Sequence, residues 1–522
     1  MNELVGKIIK HISKEQRLSF ISTFVIGIMV HLFMLSNKIP NHDDVNQLYD
    51  SMFRPSHGRW FLFFPAKISS DLSLPWFNGV LGIVYLSLSA MLIIWFFQVK
   101  SSICIVAISA VMVTFPTIAS TFNYMQAGDS YFFCLLLACI AVCFVRNSSK
   151  WCWFAAIVCL TLSMGIYQSY LPFATALLVM WHINELLIED KEVKKVLLSG
   201  IKCICVIGVS VAAYLVITKL VLRYYNAEIS GYTAGFMIDD FSLSHILQLI
   251  STAYKRSLGF YLINDWNVHY RHMNCLYILV AMIASVFSIL LFKRYNRKTA
   301  GRVKIFLLGL LHLILPLAAG LIYCMCAQVH MLMVYGFVAL IIFPLILTDQ
   351  IEKSNITIAG IKGNLMRLGQ IVIVLTTFIT SFNYALVSNK AYLSLYLTYE
   401  QSYAYANRLM TEIQLQDGYD KDDTIILVGS PNINIEYTMP WREEKDVKSM
   451  VGVTSSLVTV RTFDRYLRYY LGVEQEVSRI TSLEQLESLG ADIDINELDC
   501  YPNTGSIIRE GDIIFVKFSD MQ

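Results

Sequence analysis

The sequence predicts a polytopic α-helical membrane protein, with about eleven transmembrane helices and a small α/β domain at its C-terminal end. Three observations carry this fold class: an apolar composition, a series of apolar stretches each about one bilayer long, and a change of character after residue 388. Hydrophobic residues make up 56% of the 522 and charged residues 15%, against roughly 45–50% and 25% in ordinary soluble domains. That much apolar surface has to face lipid. The formal net charge of +2 excludes the basic field that would hold nucleic acid.

A helix needs about 20 apolar residues to cross a bilayer. By that measure spans fall near 18–36, 77–97, 102–121, 130–145, 151–166, 169–187, 199–222, 274–292, 304–325, 330–348 and 367–387. The fifth and sixth are short and meet at a turn around Gly165 and Ser169. The first follows Lys7, Lys10, Lys14 and Arg17 but ends in Ser36-Asn37-Lys38, without a small-x-small cleavage pattern, so it reads as an uncleaved anchor.

Positive charge sets the expected orientation. With the N-terminus cytoplasmic, the inner segments collect Lys100, Arg146, Lys150, Lys191, Lys194, Lys195 and the run Lys293, Arg294, Arg297, Lys298, Arg302 and Lys304. The short outer turns 122–129, 165–169 and 326–330 then contain no Lys or Arg. The protein is accordingly expected in the cytoplasmic (inner) membrane, with two long outer loops (37–76 and 223–273) and an extracytoplasmic C-terminal domain from about 388.

That domain, 388–522 against a transmembrane region of 1–387, begins with a helix at 393–414. A buried-strand pattern follows, Asp423-Thr424-Ile425-Ile426-Leu427-Val428-Gly429. Helices near 463–471 and 483–489 precede a hairpin of 505–508 and 512–518 around Gly511. Eleven of the twelve cysteines lie in or beside apolar stretches, where a thiol is a small apolar group, and no C-x-x-C spacing occurs.

The densest ionisable cluster follows the first span: His42, Asp43, Asp44, Asp50, Arg54, His57 and Arg59. Adjacent carboxylates at a membrane surface repel each other and resist desolvation unless something uses or neutralises them. One reading is a solvated loop in which Asp44 caps a short helix over 45–52. The other makes Asp43 or Asp44 a general base. Transfer from a sugar phosphate expels an adequate leaving group, so one carboxylate and a set of cations suffice. Arg54, Arg59, Lys255 and Arg256 are the candidate phosphate-binding cations. At the same outer depth lie further candidate substrate contacts: Tyr124, Gln126 and Asp129, then Tyr167 and Gln168, then His330, beside His42 itself. Asp129 reads equally well as a first-turn acid of its helix. Asp239, Asp240 and Asp265 are loop acids able to bind acceptor or metal, with solvation the simpler role. The reading calls for no cofactor and leaves a divalent metal open.

His42-Asp43-Asp44, Gly58-Arg59-Trp60, Phe122-Asn123-Tyr124, Gly128-Asp129-Ser130-Tyr131, Gly165-Ile166-Tyr167-Gln168-Ser169 and the tail Tyr501-Pro502-Asn503-Thr504-Gly505-Ser506-Ile507 occur in that order. On these motifs the sequence resembles the bacterial serotype-converting glucosyltransferases of polysaccharide and O-antigen modification, a branch of the C-type (GT-C) membrane glycosyltransferases. The resemblance implies a polyprenyl-phosphate sugar donor, most often glucose, a cell-surface or lipid-linked glycan acceptor, inverting transfer, and a catalytic carboxylate in the first outer loop. A polysaccharide polymerase or ligase is the alternative enzyme, but such proteins rely on arginines in a late outer loop. A lipid-linked glycan flippase would place ionisable groups near mid-membrane, in matching repeats.

Overall fold

The computed structural model describes residues 12–48, 52–147, 149–230, 242–270, 272–296, 301–326, 328–354, 361–429, 431, 462–480, 482–487 and 495–520. Asp50, Asp239, Asp240, Arg297 and Lys298 lie outside the described residues. The chain divides into two units, one of 1–37, 52–389 and 449–451, the other of 38–51, 390–448 and 452–522.

The helices in chain order are α1 (Lys14–Ser36), α2 (His42–Gln47), α3 (Phe63–Ala66), α4 (Pro75–Phe97), α5 (Ser102–Thr114) and α6 (Pro116–Phe122). Then come α7 (Met125–Val145), α8 (Lys150–Ile166), α9 (Leu171–Leu187), α10 (Val193–Tyr224), α11 (Leu243–Leu262) and α12 (Met273–Tyr295). The series ends with α13 (Arg302–Ala319), α14 (Val338–Lys353), α15 (Ile361–Gln414), α16 (Phe463–Tyr470) and α17 (Leu483–Glu487).

All eleven expected apolar stretches are helical. Among the described residues, eight helices are long and apolar enough to cross a membrane, or nine if the pair α5 and α6 counts as one span. That pair bends by 41°, because Pro116 disfavours a helical conformation at Phe115, which is extended (ψ 137°). The remaining two stretches, α8 and α9, have 17 residues each. At about 1.5 Å per residue they fall short of a hydrocarbon core of about 30 Å.

In the first unit α4 lies against both α1 and α7, and α8 continues the row. Small residues set these approaches: a Cβ on Gly79 would stand 1.9 Å from Leu35, and one on Gly82 2.8 Å from Phe132. α7 and the segment Tyr335–Lys353 are largely buried, whereas α10, α12 and α13 leave most of their apolar surface exposed, as lipid-facing helices do. Asp129 sits one turn inside α7, which begins at Met125, so the expected first-turn acid is corrected: the helix starts five residues earlier than hydropathy alone placed it.

The second unit is built on a four-stranded sheet, β1 (Thr424–Val428), β2 (Val477–Ile480), β3 (Ile507–Glu510) and β4 (Ile513–Lys517), in the order β2-β1-β4-β3. β1 runs parallel to β2 and β4, and β3–β4 is the expected hairpin, with Gly511 at φ 58° in its turn. Ile425, Leu427, Ile514 and Val516 point to one face and pack with Leu409 and Ile413 of α15 and with Phe463 and Leu467 of α16. Val45 of α2 belongs to the same core, and Arg465 donates from Nη1 to the Asn46 carbonyl at 2.5 Å. The segment 38–51, read from sequence as part of a membrane loop, therefore folds with the C-terminal residues.

Candidate active site

α2 starts at His42, and its N-cap is Asn41, whose side-chain oxygen accepts from the N–H groups of Asp43 (2.8 Å) and Asp44 (2.9 Å). Asp44 Oδ2 accepts in return from the Asn41 N–H at 3.3 Å, completing a capping box. The expectation that Asp44 caps a helix over 45–52 is thus corrected: Asn41 is the cap, Asp44 the third helical residue, and the helix lies earlier. Asp44 is buried at 2% exposure. The Asp43 side chain is 40% exposed and stands 3.6 Å from His42 Nε2. Burial, with the Asp44 carboxylate nearby, pushes the Tyr470 phenol well up.

In the first unit three of the sequence motifs meet around one guanidinium. Arg59 follows Gly58, whose φ of 68° suits glycine. A Cβ there would stand 2.3 Å from the Tyr214 hydroxyl. The strip after Arg59 is tied to the last turn of α8, because the Phe61 N–H donates to the Gly165 carbonyl at 2.8 Å. Gly165 is equally constrained, since a Cβ on it would come within 2.8 Å of the Trp60 ring. Arg59 Nη1 donates to the Tyr131 hydroxyl at 2.9 Å, and its guanidinium carbon lies 4.8 Å from the Tyr167 ring centre. Those two rings are stacked 4.5 Å apart. A planar cation against tyrosine faces is held in orientation as well as in place.

Gln168 extends the cluster, donating from Nε2 to Tyr214 at 2.6 Å and to the His57 carbonyl at 3.4 Å. His57 Nδ1 lies 2.9 Å from the Ser230 hydroxyl, and the Ser230 N–H donates to the Ser56 carbonyl, which ties the chain just after α10 to the segment before Arg59. The Arg59 charge is also felt at Cys326, whose thiol burial pushes up to about 12. Arg54 forms a single antiparallel bridge with Arg59 and accepts at its carbonyl from the N–H groups of His57 and Arg59.

The other expected residues are placed differently. Asp129 is buried, with Asn78 Nδ2 at 3.5 Å, and Asn78 also donates to the Met125 carbonyl at 3.2 Å, so this acid helps join α7 to α4. Gln126 is buried in the first turn of α7, and Tyr124, half-buried, precedes it. His330 opens the short turn Met331–Met333, and burial lowers its imidazole.

Lys255 and Arg256 lie on α11, where Arg256 Nη1 approaches Asp265 Oδ2 at 3.4 Å. Burial raises the Asp265 carboxyl, and the Arg256 guanidinium works against that rise. The Asp265 loop is held by Asn264, which exchanges two hydrogen bonds with the His269 backbone. An apolar cavity of about 280 Å³ lies beside α11, lined by Leu258, Tyr261 and Leu262 together with residues of α12 to α15.

Sequence alone does not single out Tyr131 or Tyr214 as site residues, although Tyr131 ends the Gly128-Asp129-Ser130-Tyr131 motif. Tyr214 interrupts the apolar run of α10, and a buried phenol needing a partner was its signal. Among the described residues no group of three or more His, Cys, Asp or Glu side chains has the arrangement of a metal site.

Residues 32–343, more than half of the chain, match the family model for glucosyl transferase GtrII. The chain belongs to this glucosyltransferase family. The match covers the acidic doublet, the Arg59 strip and the turns 122–129, 165–169 and 326–330, so the resemblance read from the motifs holds. It stops before the C-terminal residues, and the Tyr501–Ile507 tail lies outside it. No curated protein matches the chain. Membership of the GtrII family, with the apolar helices, makes the protein a membrane glycosyltransferase.

Proposed function

We propose that this GtrII-family protein transfers glucose from a polyprenyl-phosphate carrier to a cell-surface polysaccharide of the O-antigen kind, at the outer face of the cytoplasmic membrane. The observation that supports this most is the convergence of Gly58–Trp60, Tyr131 and Tyr167–Gln168 on the Arg59 guanidinium. An oriented guanidinium suits a phosphate, which it grips through two parallel N–H donors. Lys255 and Arg256 stand within two helical turns of Leu258 and Leu262 on α11. Cations beside an apolar cavity suit a lipid phosphate, with the isoprenoid chain in the cavity and the headgroup outside it.

In the transfer an acceptor hydroxyl attacks the anomeric carbon from the face opposite the phosphate. The new glycosidic bond forms as the bond from carbon to phosphate oxygen breaks. The phosphate leaves with the electron pair, and the hydroxyl proton passes to a carboxylate. Asp43 is that carboxylate in this reading, because it is accessible while Asp44 is committed to the capping box. The reaction inverts the anomeric centre and needs no protonated general acid.

Membranes containing the chain are expected to transfer radiolabelled glucose from polyprenyl-phosphate glucose to polysaccharide. Arg59→Lys keeps the charge but loses the planar fork, so the donor KM should rise about tenfold or more. Wild-type membranes that transfer no glucose, or a lysine variant with an unchanged donor KM, would overturn the reading.

A further inference from the structure

The second unit contains a cavity of about 340 Å³ that none of the preceding chemistry uses. Its walls come from the last turns of α15 (Asn407, Gln414), the turn before β1 (Tyr419, Lys421) and the loop between α16 and β2 (Glu474, Gln475). Its size is within the range of small-ligand sites, about 300–1,000 Å³. Most such sites are mainly apolar, whereas this lining is dominated by side-chain amides, a phenol and one opposed pair of charges.

We propose that this cavity binds the acceptor glycan as an uncharged saccharide. The argument rests on the assignment of the protein as a glucosyltransferase and begins with charge. Lys421 and Glu474 cancel, so the lining offers no net field for a phosphate or a carboxylate. What remains is hydrogen-bonding capacity of both signs. Each amide side chain brings two N–H donors and an acceptor oxygen in one plane, and sugar hydroxyls both donate and accept.

Gln475 is the anchor. It is buried at 8% exposure, and its Nε2 donates to the Tyr419 hydroxyl. That bond leaves the second N–H and the carbonyl oxygen of Gln475, with no partner among the described residues. Because the Tyr419 oxygen accepts there, its own hydrogen is directed elsewhere. The wall at Gly472 is open, since a Cβ built there would meet nothing within 4 Å.

The cavity borders the loops that lead into β1 and β2. Its Leu471–Gln475 wall follows α16, and α16 is bonded through Arg465 to the Asn46 carbonyl of α2, the helix that carries Asp43. The unit that carries the proposed base therefore also carries a polar cavity fit for the molecule to be deprotonated.

The test uses the full-length chain in lipid nanodiscs, with polysaccharide released by mild acid from otherwise identical cells in which the gene is deleted. Asn407→Ala, Lys421→Ala and Gln475→Ala should raise the KM for this polysaccharide about tenfold, while kcat and the donor KM stay within about twofold. Asn407 and Lys421 lie at the rim, so their variants carry the test even where the buried Gln475→Ala misfolds. An unchanged acceptor KM at both rim positions, or a loss confined to kcat, overturns the proposal. Binding is read separately by saturation-transfer NMR on the Asp43→Asn chain, where sugar-proton signals should appear and vanish when Asn407→Ala and Lys421→Ala are added. Absence of those signals also overturns it. A wild-type chain that binds the polysaccharide but transfers no glucose would defeat the proposed function and leave the cavity assignment standing.

Discussion

Asp43 and Asp44 are neighbours of identical chemistry, yet α2 gives them different surroundings. Asp44 faces inward and closes the capping box with Asn41, while Asp43 faces outward beside His42. Replacing each with Asn removes proton-accepting ability but keeps size. Asp43→Asn should lower kcat by about 10²–10⁴, the usual contribution of a positioned base. Asp44→Asn should leave kcat within a few-fold and lower stability by about 0.5–2 kcal/mol, as cap changes do. Single-turnover transfer rates and thermal unfolding of both variants check this, and the reverse pattern would move the base to Asp44. The sequence exposed the doublet but not the division of labour, because a capping box depends on where the helix begins. Arg59 was equally legible, as part of Gly58-Arg59-Trp60. Its tyrosine partners were not, because Tyr131 reaches it from α7 and Tyr167 from the extended residue after α8.

At the scale of elements, hydropathy located the apolar helices, eight or nine of which among the described residues are long enough to cross a membrane, since a run of about 20 apolar residues is a local property. It misplaced the start of α7, where Met125–Asp129 is mixed in polarity yet helical and buried. It also missed β2. Val477-Ser478-Arg479-Ile480 buries its two ends only, and as an edge strand it owes its conformation to the ladder with β1. The orientation of the spans is the element-scale prediction. In a background without native thiols, an impermeant maleimide applied from outside should label Glu228→Cys and Asp512→Cys but not Lys293→Cys. Labelling at 293 with silence at 228 would invert the topology and put the acidic loop on the cytoplasmic side.

The whole molecule is two units, and each holds an ionisable group shifted by the fold. His269 donates from Nε2 to the Phe260 carbonyl at 2.9 Å and has the Tyr277 hydroxyl 3.2 Å from Nδ1, an arrangement for neutral imidazole. Burial lowers it to about 3, against about 6.5 unfolded. The unfolded chain therefore binds this proton first. Stability is complete above about pH 6.5 and falls by about 1.4 kcal/mol for each pH unit below it, until the folded value is reached. Asp423 in the second unit is held below the usual carboxylate range by Arg509, which donates to its two oxygens at 2.8 and 2.9 Å. Its contribution is present above about pH 4 and is lost as pH falls through the depressed value. Thermal unfolding should thus shift downward between about pH 7 and 5 through His269. His269→Gln should flatten that slope while leaving any step at more acid pH. A slope unchanged by the substitution would show that His269 is not the group responsible.

Composition, span periodicity, the acidic doublet, the outer-turn motifs and the β1 and hairpin strands were determined by the sequence itself. Each depends on residues within one helix or strand length of one another, where apolar run length, turn glycine and alternation act directly. The tertiary structure decided what those residues meet. It placed Lys38–Ser51 in the C-terminal unit, through Val45 in its core and the Arg465 bond to Asn46. It also brought Tyr131 of α7, Tyr167 after α8 and, through Gln168, Tyr214 of α10 to the Arg59 strip. Such contacts join residues far apart along the chain, and their energy exists only once the helices have packed.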